Sequence, residues 1–283
     1  MPELPEVESL ARFLAQQTTG RVITRAELAS LSALKTYDPP LSAIVGATVV
    51  GVGRRGKHLL ISVGDATLAM HLARGGWVQW RPALSAIRPK PGKGPLALRV
   101  GFDDGTGFDV TEQGHEKRLA IWVVRDPADV PGIAKLGHDP LEPGFELGPL
   151  LEGRRAQVKG LLTDQSVIAG IGNAYSDEAL HVAKLSPFKM ASSLTPDEVA
   201  RLQEAIVAVL DDAVTRSTGL AASDLKGEKK SGMRVHGRAG QACPICGDIV
   251  REVSFATSSL QYCPTCQTGG KPLADRRLSK LLK

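Results

Sequence analysis

The sequence is poor in aromatic residues and contains no long apolar run. Phe, Trp and Tyr make up 4% of its 283 residues, which argues against a protein that reads single-stranded nucleic acid by stacking bases on aromatic platforms. No stretch approaches the roughly 18 consecutive apolar residues that a membrane-spanning helix requires. The acidic N-terminus also lacks the apolar core of a signal peptide. We therefore expect a cytosolic protein with no membrane contact.

Cysteine is also scarce, and all four cysteines lie between positions 243 and 266. Two Cys-x-x-Cys pairs, separated by sixteen residues, are typical of a tetrahedral zinc site. Disulfides or free thiols are the alternative, which a reducing compartment disfavours. Four thiolate ligands leave no open coordination position, so the sequence predicts one structural Zn²⁺. Its expected ligands are Cys243, Cys246, Cys263 and Cys266.

The residues between the two cysteine pairs alternate between apolar and polar, as in a β-hairpin whose tip falls at 256–259. A small zinc-stabilised hairpin of this kind serves contacts with nucleic acid or with proteins, and both alternatives are open at this point. The apolar positions of the alternation are Ile249, Val253, Phe255, Leu260 and Tyr262.

The net charge and the length of the chain say less about its partner and its domains than the motifs do. The formal net charge is +5, which suits an anionic partner but is also typical of an ordinary solvated basic surface. The length predicts two or three domains. Short apolar runs broken by turn residues over 22–125 indicate a β-sandwich or barrel, whereas the pattern from about 130 onward is helical. A stretch rich in Gly, Lys and Ser over 221–240 reads as a linker or loop.

The N-terminal run Met1-Pro2-Glu3-Leu4-Pro5-Glu6 is the most informative feature present. Removal of Met1 would expose Pro2 as a secondary amine, a nucleophile able to form an iminium with an aldehyde carbon. Glu3 and Glu6 would then be nearby proton-transfer groups. The alternative is an ordinary helix start, with proline and acidic residues in the first turn. The two interpretations are compatible, since one helix can carry the amine at its N-terminus.

Four motifs together resemble the formamidopyrimidine-DNA glycosylase / endonuclease VIII family of DNA repair enzymes, over nearly the whole chain. They are the N-terminal run, Lys57 after a basic strand, the Gly-x-Gly-Asn turn within 169–175, and the four-cysteine hairpin. The resemblance implies an α+β multidomain fold. Its expected parts are an N-terminal β-sandwich with flanking helices (1–128), a helix–two-turns–helix domain (129–225), a linker (226–240), and a zinc finger with a basic tail (241–283).

The resemblance also implies roles for residues of the N-terminal domain. Pro2 would attack C1′ of a damaged nucleoside or abasic site, with Glu3 as general acid/base around the opening sugar. Glu6 would organise the active site, or act only as a first-turn acid of the helix. Lys57 would hold a phosphate near the lesion, the alternative being a surface cation at a strand start.

The same resemblance implies a partner and a location. Asn173 would donate to the DNA backbone, or would simply cap the helix that follows it. The expected partner is damaged double-stranded DNA, bound in a cleft between two lobes by a monomeric protein. The expected location is the bacterial cytosol and nucleoid.

The sequence departs from the family pattern at the positions that select and expel the lesion. Ser258 stands where the hairpin tip usually carries an arginine, so a weaker phosphate contact is expected. Arg74, Lys117 and Leu119 occupy the places of the void-filling residues, and Leu119 is a candidate wedge between bases. The segment 223–237 is short for a loop that closes over an oxidised purine, so weak specificity for 8-oxoguanine is expected.

The C-terminal tail adds positive charge that could follow the DNA backbone, or that could be merely solvated. Its basic residues are Lys271, Arg276, Arg277, Lys280 and Lys283.

Two functions follow from the resemblance. The first is a bifunctional DNA glycosylase and abasic-site lyase that works through a Pro2 Schiff base and cleaves the strand by elimination. The alternative is a protein of the same fold that binds damage or abasic sites with weak or no base excision. A zinc-ribbon module for protein contacts alone would leave the N-terminal motif unexplained.

Overall fold

The computed structural model describes residues 1–92, 94–256 and 258–274. The predicted DNA-tracking residues Arg276, Arg277, Lys280 and Lys283 lie outside the described residues. The chain divides into two compact units. Unit 1 comprises Met1–Leu136 and Ser217–Lys226, and unit 2 comprises Gly137–Arg216 and Gly227–Lys283.

Unit 1 begins with helix α1, Leu4–Thr18, which starts at the predicted proline and acid run. Leu4, Val7, Leu10 and Leu14 are fully buried along one face, as expected for apolar residues spaced three and four apart. This face packs α1 against strands β2 and β3. The same packing positions the N-terminal residues, because they directly precede the buried first turn.

Two four-stranded antiparallel sheets form the body of unit 1, in the orders β1-β6-β7-β5 and β2-β3-β4-β8. One apolar core includes residues from strands of both sheets and from α1, so the predicted β-sandwich is confirmed. The strands are β1 Ile23–Leu28, β2 Val49–Arg55, β3 His58–Val63, β4 Ala66–His71, β5 Gly76–Arg81, β6 Leu96–Phe102, β7 Gly107–Glu112 and β8 Ala120–Val124.

Ser217–Lys226 belongs with unit 1 although the chain has passed through much of unit 2 before reaching it. The sequence-based division places most of this stretch with the helical domain. The indole Nε1 of Trp77 donates to the carbonyl of Ala222 at 2.8 Å, and Ala222 and Leu225 join the sandwich core. Burial of these apolar side chains is what holds the stretch to unit 1.

Unit 2 contains α2 Gly148–Leu151, α3 Val158–Thr163, α4 Asn173–Val182 and α5 Pro196–Arg216. The predicted capping box opens α5, since Thr195 N–H donates to Glu198 Oε2 at 2.9 Å and Glu198 N–H donates to Thr195 Oγ1 at 3.3 Å. These helices place the first half of unit 2 in the predicted helical class.

Two turns separate α3 from α4, which confirms the helix–two-turns–helix motif. In the first, Val167 N–H donates to the carbonyl of Asp164. The second passes through Gly170, whose φ of +91° favours glycine. The amide of Gln165 bridges the two turns by accepting from Gly170 N–H at 2.9 Å and donating to the Ile171 carbonyl at 2.7 Å.

The predicted linker over 221–240 contains an eight-residue helix, α6 Leu225–Gly232. The predicted hairpin follows as β9 Arg251–Ser254 and β10 Ser259–Tyr262, paired antiparallel, and α7 Pro264–Thr268 carries the last cysteine. Within the described part of the chain, no helix has the length and apolar content needed to cross a membrane.

Candidate nucleic-acid site and metal centre

The N-terminal residues of unit 1 form a buried acidic start of helix α1. Pro2 is buried, and Glu3 and Glu6 are each 3% exposed. The N–H of Glu3 donates to Glu6 Oε2 at 2.7 Å. Glu6 therefore stabilises the first turn of α1, which is the alternative role that the sequence predicted for it. Met1 is 50% exposed. The first peptide bond therefore joins an exposed residue to a buried one.

Lys57 lies in the tight turn between β2 and β3 and is only 8% exposed. Gly56, with φ of +52°, forms the turn. Near the end of β2, Arg54 Nε donates to Glu8 Oε2 of α1 at 2.8 Å. This ion pair and the packing of α1 on β2 bring the strand end beside the first turns of the helix.

His71 is a neighbour of Lys57 that sequence reasoning missed. His58 starts β3 and is paired in register with His71 at the end of β4, with ring centroids 4.9 Å apart. Burial, and then the Lys57 charge, lower the pKa of His71. Burial, with a smaller effect of His71, lowers the pKa of His58 to about 4. The hairpin register could have indicated the pair, because both histidines lie at matching strand ends.

The three predicted void-filling residues are placed differently from one another. Arg74 is exposed in the connection between β4 and β5. Lys117 is exposed, and its ammonium donates to the carbonyl of Glu112. Leu119 is 2% exposed and belongs to the sandwich core. In this conformation Leu119 is not available as a wedge, because its side chain packs inside the unit.

Glu112 explains why Leu119 points inward. This buried carboxylate accepts from the N–H groups of Arg118 and Leu119 at 2.7 and 2.9 Å, which fixes the backbone entering β8. The exposed side chain at this point is Arg118, which pairs with Glu116 at 2.9 Å.

In unit 2 the structure brings Asn173 to the zinc-finger hairpin. Asn173 is the first residue of α4 and Gly172 is its N-cap, so the capping alternative for Asn173 is wrong. Asn173 Nδ2 donates instead to the carbonyl of Ser259 at 2.7 Å. Ser258, which precedes Ser259 in the hairpin, is exposed. Its carbonyl accepts from the N–H of Phe255 at 2.7 Å across the hairpin tip.

The polar side chains that follow on α4, Asp177, Glu178 and His181, hold the C-terminal segment. Glu178, 1% exposed, accepts from the N–H groups of 234–236 at 2.7 to 2.9 Å. Asp177 accepts from His236 Nδ1 at 2.8 Å and pairs with Lys159 Nζ at 2.7 Å. Sequence reasoning missed these residues, because polar side chains within a helix read as a solvated face.

The four cysteines form a cluster whose sulfurs all lie within 4.8 Å of one another. The Cys246 and Cys263 sulfurs are 3.3 Å apart, far beyond the roughly 2.05 Å of a disulfide. None of the four cysteines forms a disulfide, so the disulfide alternative is wrong. Burial raises the pKa of the Cys263 thiol to about 11, and a bound metal cation would favour its thiolate form. The four-sulfur donor set fits a tetrahedral metal ion.

His181 lies behind this cluster on α4. Its Nε2 is 3.3 Å from Cys243 Sγ, and burial lowers the pKa of its imidazole to about 4. A neutral ring that donates from Nε2 suits a metal-bound thiolate, since such donors orient the ligand and reduce its charge.

Three family models match successive parts of the chain. Residues 1–114 match the formamidopyrimidine-DNA glycosylase N-terminal domain, 136–224 match the formamidopyrimidine-DNA glycosylase H2TH domain, and 240–269 match the zinc finger found in FPG and IleRS.

Curated relatives match as well. A formamidopyrimidine-DNA glycosylase of Symbiobacterium thermophilum is 36% identical, with 98% of this chain and 93% of the relative covered. An uncharacterized formamidopyrimidine-DNA glycosylase-like protein of Mycobacterium tuberculosis is 59% identical over 157 residues, 55% of this chain and 99% of that protein.

Solved structures of similar fold include MutM in complex with DNA containing carbocyclic 8-oxo-G. It has a TM-score of 0.82 and 26% identity, and covers 94% of this chain and 100% of that chain. The Lactococcus lactis Fpg bound to DNA containing an abasic site has a TM-score of 0.83 and 26% identity, and covers 94% of this chain and 99% of that one.

Proposed function

The chain belongs to the formamidopyrimidine-DNA glycosylase family of DNA repair enzymes, and from that premise we propose that it is a bifunctional DNA glycosylase and abasic-site lyase. The observation that carries the proposal is the start of α1. There Pro2 precedes two buried carboxylates, in the same unit as the buried Lys57. A nucleophile, proton-transfer groups and a cation are the parts that the reaction needs.

In the proposed reaction, removal of Met1 leaves the Pro2 nitrogen as a secondary amine. Its lone pair attacks C1′, the N-glycosidic bond breaks, and the base leaves with a proton. The sugar ring opens at the C1′–O4′ bond as the iminium forms. Glu3 transfers the proton to or from the ring oxygen, within the reach of a general acid/base.

Strand cleavage then follows by elimination. Loss of a proton from C2′ expels the 3′ phosphate, and a second elimination expels the 5′ phosphate. Water hydrolyses the remaining iminium and returns the free amine. Lys57, and the neutral imidazole of His71 beside it, would hold a phosphate near the reacting sugar. The damaged nucleotide must leave the base stack before any of these steps.

Unit 2 would supply the other DNA contacts in this proposal. The second hydrogen of Asn173 Nδ2 and the hydroxyl of Ser258 would donate to phosphate oxygens. One structural Zn²⁺ on the four cysteines would hold the hairpin in shape. We place this repair reaction on double-stranded DNA in the bacterial cytosol, by a monomer.

The test is borohydride trapping on duplex DNA that carries an abasic site or an oxidised base. Preparations with and without Met1, distinguished by mass spectrometry, are compared on the same substrates. We expect a covalent adduct on the abasic duplex only when Met1 is absent. Pro5→Ala is the matched control, because it alters the same helix turn and should keep the adduct.

The result that rejects the lyase is specific: no adduct on any substrate, despite tight binding and confirmed loss of Met1. That outcome would favour the second function, a damage- or abasic-site-binding protein with weak or no base excision. Two observations support this second candidate. The hairpin tip carries the uncharged Ser258, and Leu119 is buried in the core.

A further inference from the structure

A cavity of about 580 Å³ lies in unit 1 beside the stretch that returns from the helical part of the chain. Pockets of this volume accept ligands of nucleotide size. Its lining includes Phe13, Trp77, Trp80, Arg81, Ser223 and Lys226.

The cavity is separate from the candidate catalytic residues. Phe13 lies nine residues beyond the first residue of α1, which is about 14 Å along the helix axis. Pro2, Glu3, Glu6 and Lys57 do not line the cavity.

Aromatic rings are concentrated here in a chain that has few of them. Two of its three tryptophans line the cavity. Phe13 and Trp80 meet edge to face, with centroids 6.2 Å apart. Both residues are only half-buried, so their rings can take a planar ligand by stacking. Stacking of this kind tolerates any base, because every base has a π-face.

Positive charge faces the same space. Lys226 Nζ lies 4.8 Å from the centroid of the Trp77 ring, and desolvation there lowers the pKa of this lysine. Arg81 is 44% exposed and donates to the buried carboxylate of Asp109 at 3.0 Å.

Asp109 does not cancel this charge. Burial alone would raise the pKa of Asp109, but hydrogen bonds from Arg99 and Arg81 hold it below its usual value. The carboxylate is therefore ionised and shared by two guanidinium groups. Of these three residues only Arg81 lines the cavity, and it shares the Asp109 carboxylate with Arg99.

We propose that this cavity is a second ligand site that takes a nucleotide, with its base against Phe13 and Trp80 and its phosphate facing Lys226 and Arg81. The nucleotide is either free in solution or an unpaired residue of a DNA strand. The indole of Trp77 also donates to the Ala222 carbonyl. A bound nucleotide would therefore contact a residue that fixes the position of the stretch 217–226.

The experiment uses the full chain and its tryptophan fluorescence. Trp122→Phe removes the one tryptophan outside the cavity, so the remaining signal comes from Trp77 and Trp80. Titrations with dAMP, deoxyadenosine and a four-residue oligo-dA are compared. We expect saturable quenching, with dAMP at least threefold tighter than deoxyadenosine because of its phosphate.

Two variants test the site without disturbing the core. Lys226→Met should narrow the difference in affinity between dAMP and deoxyadenosine, because only Arg81 then faces the phosphate, whereas Lys230→Met, at an exposed lysine of the same helix, should not. Ser223→Glu places a carboxylate at an exposed position of the lining and should weaken dAMP at least tenfold. Ser192→Glu, an exposed serine of unit 2, is its control.

The outcomes are decisive in both directions. A tighter dissociation constant for dAMP than for the oligonucleotide identifies the free nucleotide as ligand, and the reverse identifies a DNA strand. Quenching that does not saturate by 10 mM, or that Ser223→Glu leaves unchanged, overturns the proposal. Quenching that Lys57→Met abolishes would assign the binding to the catalytic end of the unit and would also overturn it.

Discussion

At the scale of single residues, the clearest difference from the family pattern is the uncharged Ser258 at the hairpin tip, where an arginine is expected. Ser258 is exposed and lies next to Ser259, whose carbonyl accepts from Asn173. A side chain at position 258 therefore projects from the same hairpin turn that the hydrogen bond of Asn173 holds in place. An arginine there would add a charge-assisted contact to any phosphate bound at this end of α4.

We predict that Ser258→Arg tightens binding to an abasic duplex about tenfold, which corresponds to about 1.4 kcal/mol. Fluorescence anisotropy at fixed salt measures the change. Ser192→Arg is the control, because it adds the same charge at an exposed position that is not part of the hairpin. Equal gains from the two variants would show a general charge effect and would place the hairpin tip outside the interface.

His58 makes a second prediction at this scale. Its pKa is lowered to about 4 in the folded chain, chiefly by burial. The unfolded chain therefore binds the proton more readily, and stability is lost as the pH falls from the unfolded value of 6.5 towards 4. The contribution is complete above pH 6.5.

Urea unfolding at pH 7 and pH 5, compared between wild type and His58→Phe, measures this contribution. We expect the wild type to lose about 2 kcal/mol more than the variant between the two pH values. His115→Phe is the control, since His115 is exposed. An equal loss in wild type and His58→Phe would contradict the assignment to His58.

At the scale of elements, helix α4 joins the predicted DNA-contact residue Asn173 to the four-cysteine cluster. Asn173 at its start binds the hairpin, and His181 near its end contacts Cys243. Between them, Glu178 holds the backbone of 234–236. The hairpin is thus fixed from two sides, by one helix and by the four-sulfur cluster.

We predict that removing the metal with a chelator unfolds the C-terminal forty or so residues and weakens DNA binding at least tenfold, because a segment of this size buries too little apolar surface to stay folded without its metal. Limited proteolysis and zinc analysis follow the unfolding, and anisotropy follows the binding. Restoring Zn²⁺ should reverse both. Unchanged DNA affinity after complete metal loss would show that the finger is dispensable.

At the scale of the whole molecule, the net charge of +5 is small, so a DNA-binding surface depends on where the cations lie. Three cations are among the predicted DNA-binding residues of unit 1: Lys57, predicted at a phosphate, and Arg74 and Lys117, predicted at void-filling positions. If each neutralises one phosphate, the logarithm of the affinity falls with the logarithm of salt with a slope of at least about 2.7.

That slope predicts at least about fortyfold weaker binding at 200 mM than at 50 mM salt. Anisotropy titrations over this range test it, and replacing Arg74 by Met should lower the slope by about 0.9. Arg12→Met, at an exposed arginine on α1, is the control and should leave the slope unchanged. A flat salt response would exclude phosphate contacts as the main source of affinity.

Much of the fold follows from local pattern. The strand β3, His58–Val63, is one of the short apolar runs within 22–125, and a run of this kind between turn residues is recognisable from local sequence alone. The four cysteines were predictable for a similar reason, since ligand spacing is a local property. The strand β7 was harder to recognise, since the polar residues Asp109 and Thr111 are buried in it.

By itself, the sequence determined the four-cysteine cluster and the sheet, helical and finger parts of the fold, whereas the role of Pro2 as the nucleophile stays a prediction. Only the tertiary structure decided that Leu119 is buried, that His71 lies beside Lys57, and that the stretch 217–226 returns to the sandwich. These facts depend on contacts between residues far apart in the chain. Hydrophobic burial and strand register make such contacts, and neither is visible in a local window of sequence.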